Sequence, residues 1–261
     1  MLDTLRALVP PAAKKQIKRV LGRPETQLHA DWDVLSMIGP VTTPHVVLDA
    51  GAHHGWFFHC WLDWCPQGVV HAFEPTKESF DAAMASYGND PRVHLVPRGL
   101  GVSDTELTFN VLEGSTISNS FLQPQQSAWD AIHYGTGEVS TRRVQVTSID
   151  NYCAAHNIDR VHLLKIDVQG FELEVLKGAR STLARIDHVL VEVGIQRLYI
   201  GAPSFAEVCV FMEEQGFHLM HMRAWHQGNR VLVETDLLFR RNELAPPTDP
   251  TGARHYVSLQ E

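Results

Sequence analysis

Apolar residues along this chain follow two rhythms. Short, near-continuous runs occur at Val46 to Leu48, Val69 to Phe73, Val161 to Val168 and Val189 to Val193. Runs of this kind, with no alternation, suit strands buried on both faces of a parallel sheet. Between them apolar positions recur every three or four residues, the spacing of a helix that buries one side. Gly55 to Trp64 reads as the first such helix, with Phe57, Trp61 and Trp64 on one face. Thr76, after Pro75, reads as the N-cap of a helix to about Tyr87 that Gly88-Asn89 closes. A third strand follows at Val93 to Val96.

Thr105 to Leu112 and Thr141 to Thr147 alternate like strands, and the polar interval Glu113 to Glu138 between them carries Trp129, His133 and Tyr134. So long a polar excursion suits a lid over a substrate, with a solvated loop as its plainer reading. Further on come a helix at Ser148 to His156, the fourth strand to Val168, a helix over Gly170 to Arg185 and the fifth strand, Val189 to Gly194. Ser204 then caps a helix to about Gln215, and Phe217 to Met222 and Arg230 to Phe239 form a closing antiparallel pair.

The ends differ from this body. Residues 2–9 and 12–21 read as two short helices broken by Pro10-Pro11, 31–38 as a third, and 242–261 as a loose tail. Arg6, Lys14, Lys15, Lys18, Arg19 and Arg23 against Asp3 give residues 1–23 a charge of +5, so a net charge of −8 leaves −13 for the rest. A body this negative is not expected to bind nucleic acid, where phosphate contacts dominate affinity. The basic lead offers a peripheral contact with an acidic membrane or partner, or else packs on its own domain. Cys60, Cys65, Cys153 and Cys209 form no Cys-x-x-Cys pair, no secretory leader is visible and no apolar run is long enough to span a bilayer; the expectation is free thiols and a soluble, cytoplasmic protein. The oligomeric state is open.

The chemistry concentrates at the strand ends. Val46 to Leu48 runs into Asp49-Ala50-Gly51-Ala52-His53-His54-Gly55, a glycine-bearing turn that lets a ligand approach the backbone. It is not the dinucleotide fingerprint Gly-x-Gly-x-x-Gly, because His53 stands where the second glycine belongs, which argues against NAD. Glu74 ends the second strand, as an acid that accepts from a ribose diol does.

With Lys165-Ile166-Asp167-Val168-Gln169-Gly170-Phe171-Glu172 and Leu176-Lys177-Gly178-Ala179 added, the chain closely resembles the FkbM-type S-adenosylmethionine methyltransferases over roughly residues 45–195. Their marks are Asp-x-Gly-Ala-x-x-Gly, Phe-Glu-Pro and Lys-Ile-Asp-x-x-Gly-x-Glu-x-x-x-Leu-x-Gly-Ala. His53 and Gln169 depart from the usual Asn and Glu. The resemblance implies an α/β, class I Rossmann-like fold, a mostly parallel seven-stranded sheet with a C-terminal antiparallel hairpin, flanked by helices. It also implies a methyltransferase domain at 45–241 containing the 104–148 excursion, between an N-terminal helical extension (1–44) and the tail.

S-adenosylmethionine is then the implied cofactor, held by Asp49, Gly51, Ala52, His53, Gly55, Glu74, Pro75, Gly99, Leu100 and Asp167. Such ligands bind beyond the carboxyl ends of parallel strands, so these residues should converge there with Glu192. Asp167 is the first candidate for a general base, then His54, then Glu192; their plainer readings are an ion pair of Asp167 with Lys165 and a structural buried Glu192. None of the 15 histidines shows the His-x-x-x-His spacing of a helical zinc site. Asp167 and Glu192 offer few oxygens for Mg²⁺, and Gln169 removes a charge, so no metal is expected. The resemblance implies an O-methyltransferase acting on a hydroxyl of a sugar, glycan or secondary metabolite. The alternatives are an N-methyltransferase and a non-catalytic binding module, which the intact Asp49, Glu74 and Asp167 oppose.

Overall fold

The uninterrupted apolar runs pair into one sheet, and the alternating ones into a second. In the computed structural model, which describes residues 34, 35, 37, 38, 44–113, 115–132, 137–226 and 232–244, the strands are β1 (Val46–Ala50), β2 (Val69–Phe73), β3 (Val93–Val96), β4 (Gly99–Leu100), β5 (Thr105–Leu112), β6 (Val139–Thr147), β7 (Val161–Ile166), β8 (Ile186–Gly194), β9 (Phe217–His226) and β10 (Leu232–Arg241). The main sheet has seven strands in the order β3-β2-β1-β7-β8-β10-β9, parallel except for β10, which runs antiparallel to both neighbours. This is the class I methyltransferase fold. The second sheet, β4-β6-β5, is the core of the excursion.

The helices are α1 (Trp56–Trp64), α2 (Lys77–Tyr87), α3 (Gln126–Ala131), α4 (Ile149–Ala155), α5 (Glu172–Lys177), α6 (Arg180–Leu183) and α7 (Phe205–Glu214). Alternation along the strands feeds two cores. Leu48, Leu164, Val191 and Leu237 meet α4 to α7, whereas Val47, Leu163, Leu190 and Leu238 meet Phe57, Phe58 and Trp61 of α1. Val34 and Leu35, helical with Met37 and Ile38, are buried in the second core. The other residues of the expected 31–38 helix, the two helices expected within 2–21 and the tail beyond Leu244 lie outside the described residues, as do His133 and Tyr134.

Three local expectations change. The single helix expected over Gly170 to Arg185 is two, α5 and α6, because Gly178 at the break packs so closely that a Cβ there would run into the Gly101 carbonyl. Thr76 precedes α2 as expected, but its hydroxyl makes no cap; its N–H donates to Glu74 Oε1 at 2.7 Å instead. Gly88 closes α2 in a right-handed conformation, φ −61°. Ser148 does cap α4, and Ser204 forms a capping box with Glu207 on α7.

The excursion is packed rather than solvated. Trp129 of α3 donates its indole N–H to the Leu198 carbonyl at 2.8 Å and is buried with Leu112, Ile132, Tyr199 and Val233. All four cysteines are free thiols. Among the described residues no helix is long and apolar enough to cross a membrane.

Gly51 shows how tightly β1 meets β7. Its φ is +78°, and an added Cβ would collide with the Asp167 carbonyl oxygen. The glycine is therefore set by backbone packing, beyond any room it leaves for a ligand. Gly51→Ala should lower the unfolding free energy in urea by at least about 2 kcal/mol, since both left-handed strain and a clash must be relieved. A loss under about 0.5 kcal/mol would mean that the two strand ends are not pinned together.

Candidate functional site

Where β1, β2, β7 and β8 end, the sheet opens into a cavity of about 430 Å³, within the range of small-molecule sites. Residues far apart in sequence line it together: Gly51, Ala52 and His53 after β1, Glu74 and Pro75 after β2, Gly99 and Leu100 in β4, Asp167 after β7 and Glu192 in β8. Asp49, Gly55 and His54 do not line it. Asp49 is fully buried beside Lys165, Gly55 packs on the Phe58 ring, and the His54 ring stacks on His53 at 3.8 Å.

The turn after β1 keeps its amides for its own fold. Gly51 and Ala52 both donate to the Phe73 carbonyl at 3.1 Å, and His53 donates to Glu74 Oε2 at 2.8 Å. With Thr76 on Oε1, each Glu74 oxygen accepts one backbone N–H. The Thr76 hydroxyl also bonds this carboxylate, which lines the cavity with its remaining acceptor capacity. Burial raises the Glu74 pKa, and the Thr76 and His53 amides offset part of the rise.

Beside this lies a charged row on the sheet face that carries α1. Lys165 Nζ donates to the Gly51 carbonyl at 3.1 Å and lies 3.3 Å from Asp49 Oδ1 and 3.5 Å from Asp167 Oδ2. Burial works against its charge, but Asp49, Asp167 and Glu192 outweigh it and hold the ammonium protonated above the usual lysine value. For Asp167 burial likewise pushes the pKa up, and the Lys165 charge and the Gln169 amide bring it below the ordinary range. Gln169 Nε2 reaches both Asp167 Oδ1 and Glu192 Oε1 at 3.0 Å.

Glu192 behaves oppositely. Burial first, then the charges of Asp167, Glu234 and Asp236, raise its pKa well above the usual value, and burial with Asp167 brings Glu234 to about 7. Asp236 stands directly across from Glu192 in the β8–β10 pairing and is held by Arg223 Nη2 at 2.5 Å. Among the described residues no group of His, Cys, Asp and Glu is arranged to hold a metal ion.

The excursion closes over this edge at two points. His53 Nε2 and Thr116 Oγ1 lie 2.9 Å apart, and Ser120 Oγ donates to the Gln169 carbonyl at 2.6 Å. Tyr199, Arg223, Glu234 and Asp236 are members that reading the sequence overlooks, and Gln169, noted there only as a missing charge, bridges two of the acids. One signal was present for two of them: Glu234 and Asp236 are acids at period two in a strand whose next three residues, Leu237 to Phe239, are apolar, and they face the side that Glu192 faces.

Comparison with known proteins agrees with this geometry. The methyltransferase FkbM domain matches residues 49–219. The 2-O-methyltransferase NoeI of Sinorhizobium fredii is 26 % identical over 60 % of this chain and 66 % of its own length. The hexuronic acid methyltransferase AglP of Haloferax volcanii is 30 % identical over 48 % and 46 %. The chain thus spans about half to two thirds of these relatives. Among solved structures, the METTL16 methyltransferase domain superposes with a TM-score of 0.50 at 10 % identity, covering 84 % of this chain and 68 % of that one, a likeness of fold.

Two outcomes follow from the carboxylates. Glu74→Ala should weaken S-adenosylmethionine binding by about 1.5 to 3 kcal/mol in titration calorimetry, the scale of a hydrogen bond to a charged group; affinity within about twofold of wild type would place the ribose elsewhere. Glu172, buried and accepting from Gly170 N–H at 2.8 Å, has its pKa raised to about 7 by burial. A carboxyl that binds its proton more tightly when folded supports the native state below its unfolded pKa and loses that support as pH rises. Glu172→Gln should therefore gain stability over wild type between about pH 4.5 and 7, reaching about 2 to 3 kcal/mol. A flat difference in urea melts across that window would show that Glu172 is not perturbed.

Proposed function

We propose that this chain, which belongs to the FkbM methyltransferase family, transfers the methyl group of S-adenosylmethionine to a hydroxyl of a sugar, free or within a glycan. The observation that carries the reading is the meeting of Glu74, the Gly51 turn and Asp167 at one cavity, with an ionised carboxylate bordering it. Relatives named as a 2-O-methyltransferase and a hexuronic acid methyltransferase support oxygen on a sugar as the acceptor. The catalytic unit is residues 45–241, the 104–148 excursion covering the acceptor.

The cofactor fits the residues present: the Glu74 carboxylate lines the cavity as an acceptor for a ribose hydroxyl, and Gly99 and Leu100 line it with apolar surface for the adenine. When bound, S-adenosylmethionine supplies a methyl group on a sulfonium, which an aligned nucleophile displaces in line. Rate then depends largely on how firmly the chain orients the hydroxyl. Asp167, 35 % exposed at the cavity, accepts a hydrogen bond from that hydroxyl and takes its proton as the C–O bond forms. Its low pKa makes it a modest base, so orientation carries more than basicity. Glu192, whose pKa burial and its acidic neighbours raise, is hydrogen-bonded within the cluster to Asp167, Gln169 and Glu234 and positions Asp167 beside the acceptor. His54 lies outside the cavity lining and takes no part.

The test is a panel of neutral sugars, uronic acids and amines, read by release of S-adenosylhomocysteine. Turnover with a sugar is expected; methylation of amines alone would move the reaction to nitrogen, and cofactor binding without turnover on any acceptor would leave a binding module. On the best acceptor, Asp167→Asn should lower kcat by at least about 100-fold with cofactor affinity within about fivefold, since shape is kept and only charge and basicity go. A near-normal kcat would remove Asp167 from the chemistry, and a lowered melting temperature alone would leave it an ion-pair partner of Lys165.

A further inference from the structure

We infer that Gln169 is a positioning residue whose carboxamide keeps the Asp167 carboxylate bare at the cavity and leaves the proton of the neighbouring acids on Glu192 and Glu234. The inference rests on Asp167 as the proton acceptor proposed above, and it concerns what sets its state.

Gln169 holds a left-handed backbone, φ +56°, rare for a residue with a side chain. The conformation turns its amide back between two carboxyl groups: Nε2 lies 3.0 Å from Asp167 Oδ1 and 3.0 Å from Glu192 Oε1. An amide nitrogen has only hydrogens to offer, so both oxygens must face it as acceptors. The reverse orientation would set Oε1 against two carboxylate oxygens. On the other side Oε1 lies 3.0 Å from the Tyr199 hydroxyl.

With Lys165 at 3.5 Å on Oδ2, Gln169 on Oδ1 and a further hydrogen bond from Glu192, the Asp167 oxygens are satisfied as an anion. Glu192 has one oxygen given to Gln169, and its side chain is hydrogen-bonded to Glu234. Two adjacent carboxyl groups cannot both ionise freely, so a shared proton settles between them. Of the other charges facing the cluster, Asp49 pairs with Lys165, and Asp236, although held by Arg223, still favours the protonated forms of Glu192 and Glu234. Glu172 on α5 is occupied by the Val168 and Gly170 amides.

The same residue joins this setting to the cover. Its carbonyl accepts from Ser120 Oγ, and its Tyr199 partner also donates to the Ser118 carbonyl at 2.8 Å. The proton arrangement therefore belongs to the state in which residues 115–132 are seated on the strand ends.

The test reads Asp167 directly and needs no acceptor. Protein carrying carbon-13 in its aspartate carboxyl groups is titrated by NMR, with the Asp167 signal identified by its loss in Asp167→Asn. Wild type should titrate below the ordinary aspartate value. Gln169→Glu, equal in shape but without donors, should raise the midpoint by at least about one pH unit. Gln169→Asn, which tolerates the left-handed backbone but is too short to bridge, should raise it by about half a unit or more. A midpoint within about 0.3 units of wild type in both variants, or any downward shift, overturns the inference, even if melting temperatures fall. Calorimetry with S-adenosylmethionine on the same samples separates the two readings: failure to bind would sink the proposed function, while the Asp167 midpoint alone decides the role of Gln169.

Discussion

One buried ammonium holds the strand ends in place. Lys165 has an 11 % exposed side chain, and its Nζ meets the Gly51 carbonyl, Asp49 on β1 and Asp167 beyond β7. A charge in that position is costly to desolvate and gains little net stability over an apolar replacement. Its value is geometric. It draws β1 and β7 together at the point where Gly51 already touches the Asp167 backbone, and it lets two acids sit a few ångströms apart. Removing one partner of such a set typically costs about 3 to 5 kcal/mol, because the remaining charges are then buried unpaired.

From that anchor the polar row extends across the sheet. The face carrying α1 is apolar at Val47, Leu163, Leu190 and Leu238, then turns polar one step further along the same strands at Asp49, Lys165, Glu192 and Asp236. The boundary between these rows is the floor of the cavity. The environments push pKa values apart: Asp167 is held down by Lys165 and Gln169, while Glu192 and Glu234 are pushed up by burial and by the Asp167 charge. One group is thereby an acceptor and its neighbours donors at the same pH.

The excursion completes the enclosure by two latches, Thr116 on His53 and Ser120 on Gln169. Both receiving residues have left-handed backbones, at φ +50° and +56°. Both also depart from the residues usual in the resembling family. The left-handed turns after β1 and β7 are thus the points at which the excursion is hydrogen-bonded to the strand ends.

Local patterning in the sequence was enough for the main sheet, since continuous apolar runs need burial on both faces and only parallel packing under helices provides it. The acids that end those runs, Asp49, Glu74, Asp167 and Glu192, were legible for the same reason: a charge that closes a buried strand marks where the sheet meets an open edge. Sequence could not decide which of them face the cavity. Asp49 and Asp167 stand two residues beyond Val47 and Lys165 on neighbouring strands, yet the first is sealed under Lys165 and the second remains 35 % exposed. Nor could it show Tyr199, Glu234, Asp236 or Arg223 at the same place, because they arrive from an antiparallel strand and its neighbours through long-range pairing. Strand identity follows from periodicity within a few residues, whereas the protonation of each carboxyl depends on charges brought within a few ångströms from positions far apart in the chain, as Asp49 and Lys165 are across 116 positions, and only the folded sheet sets those distances.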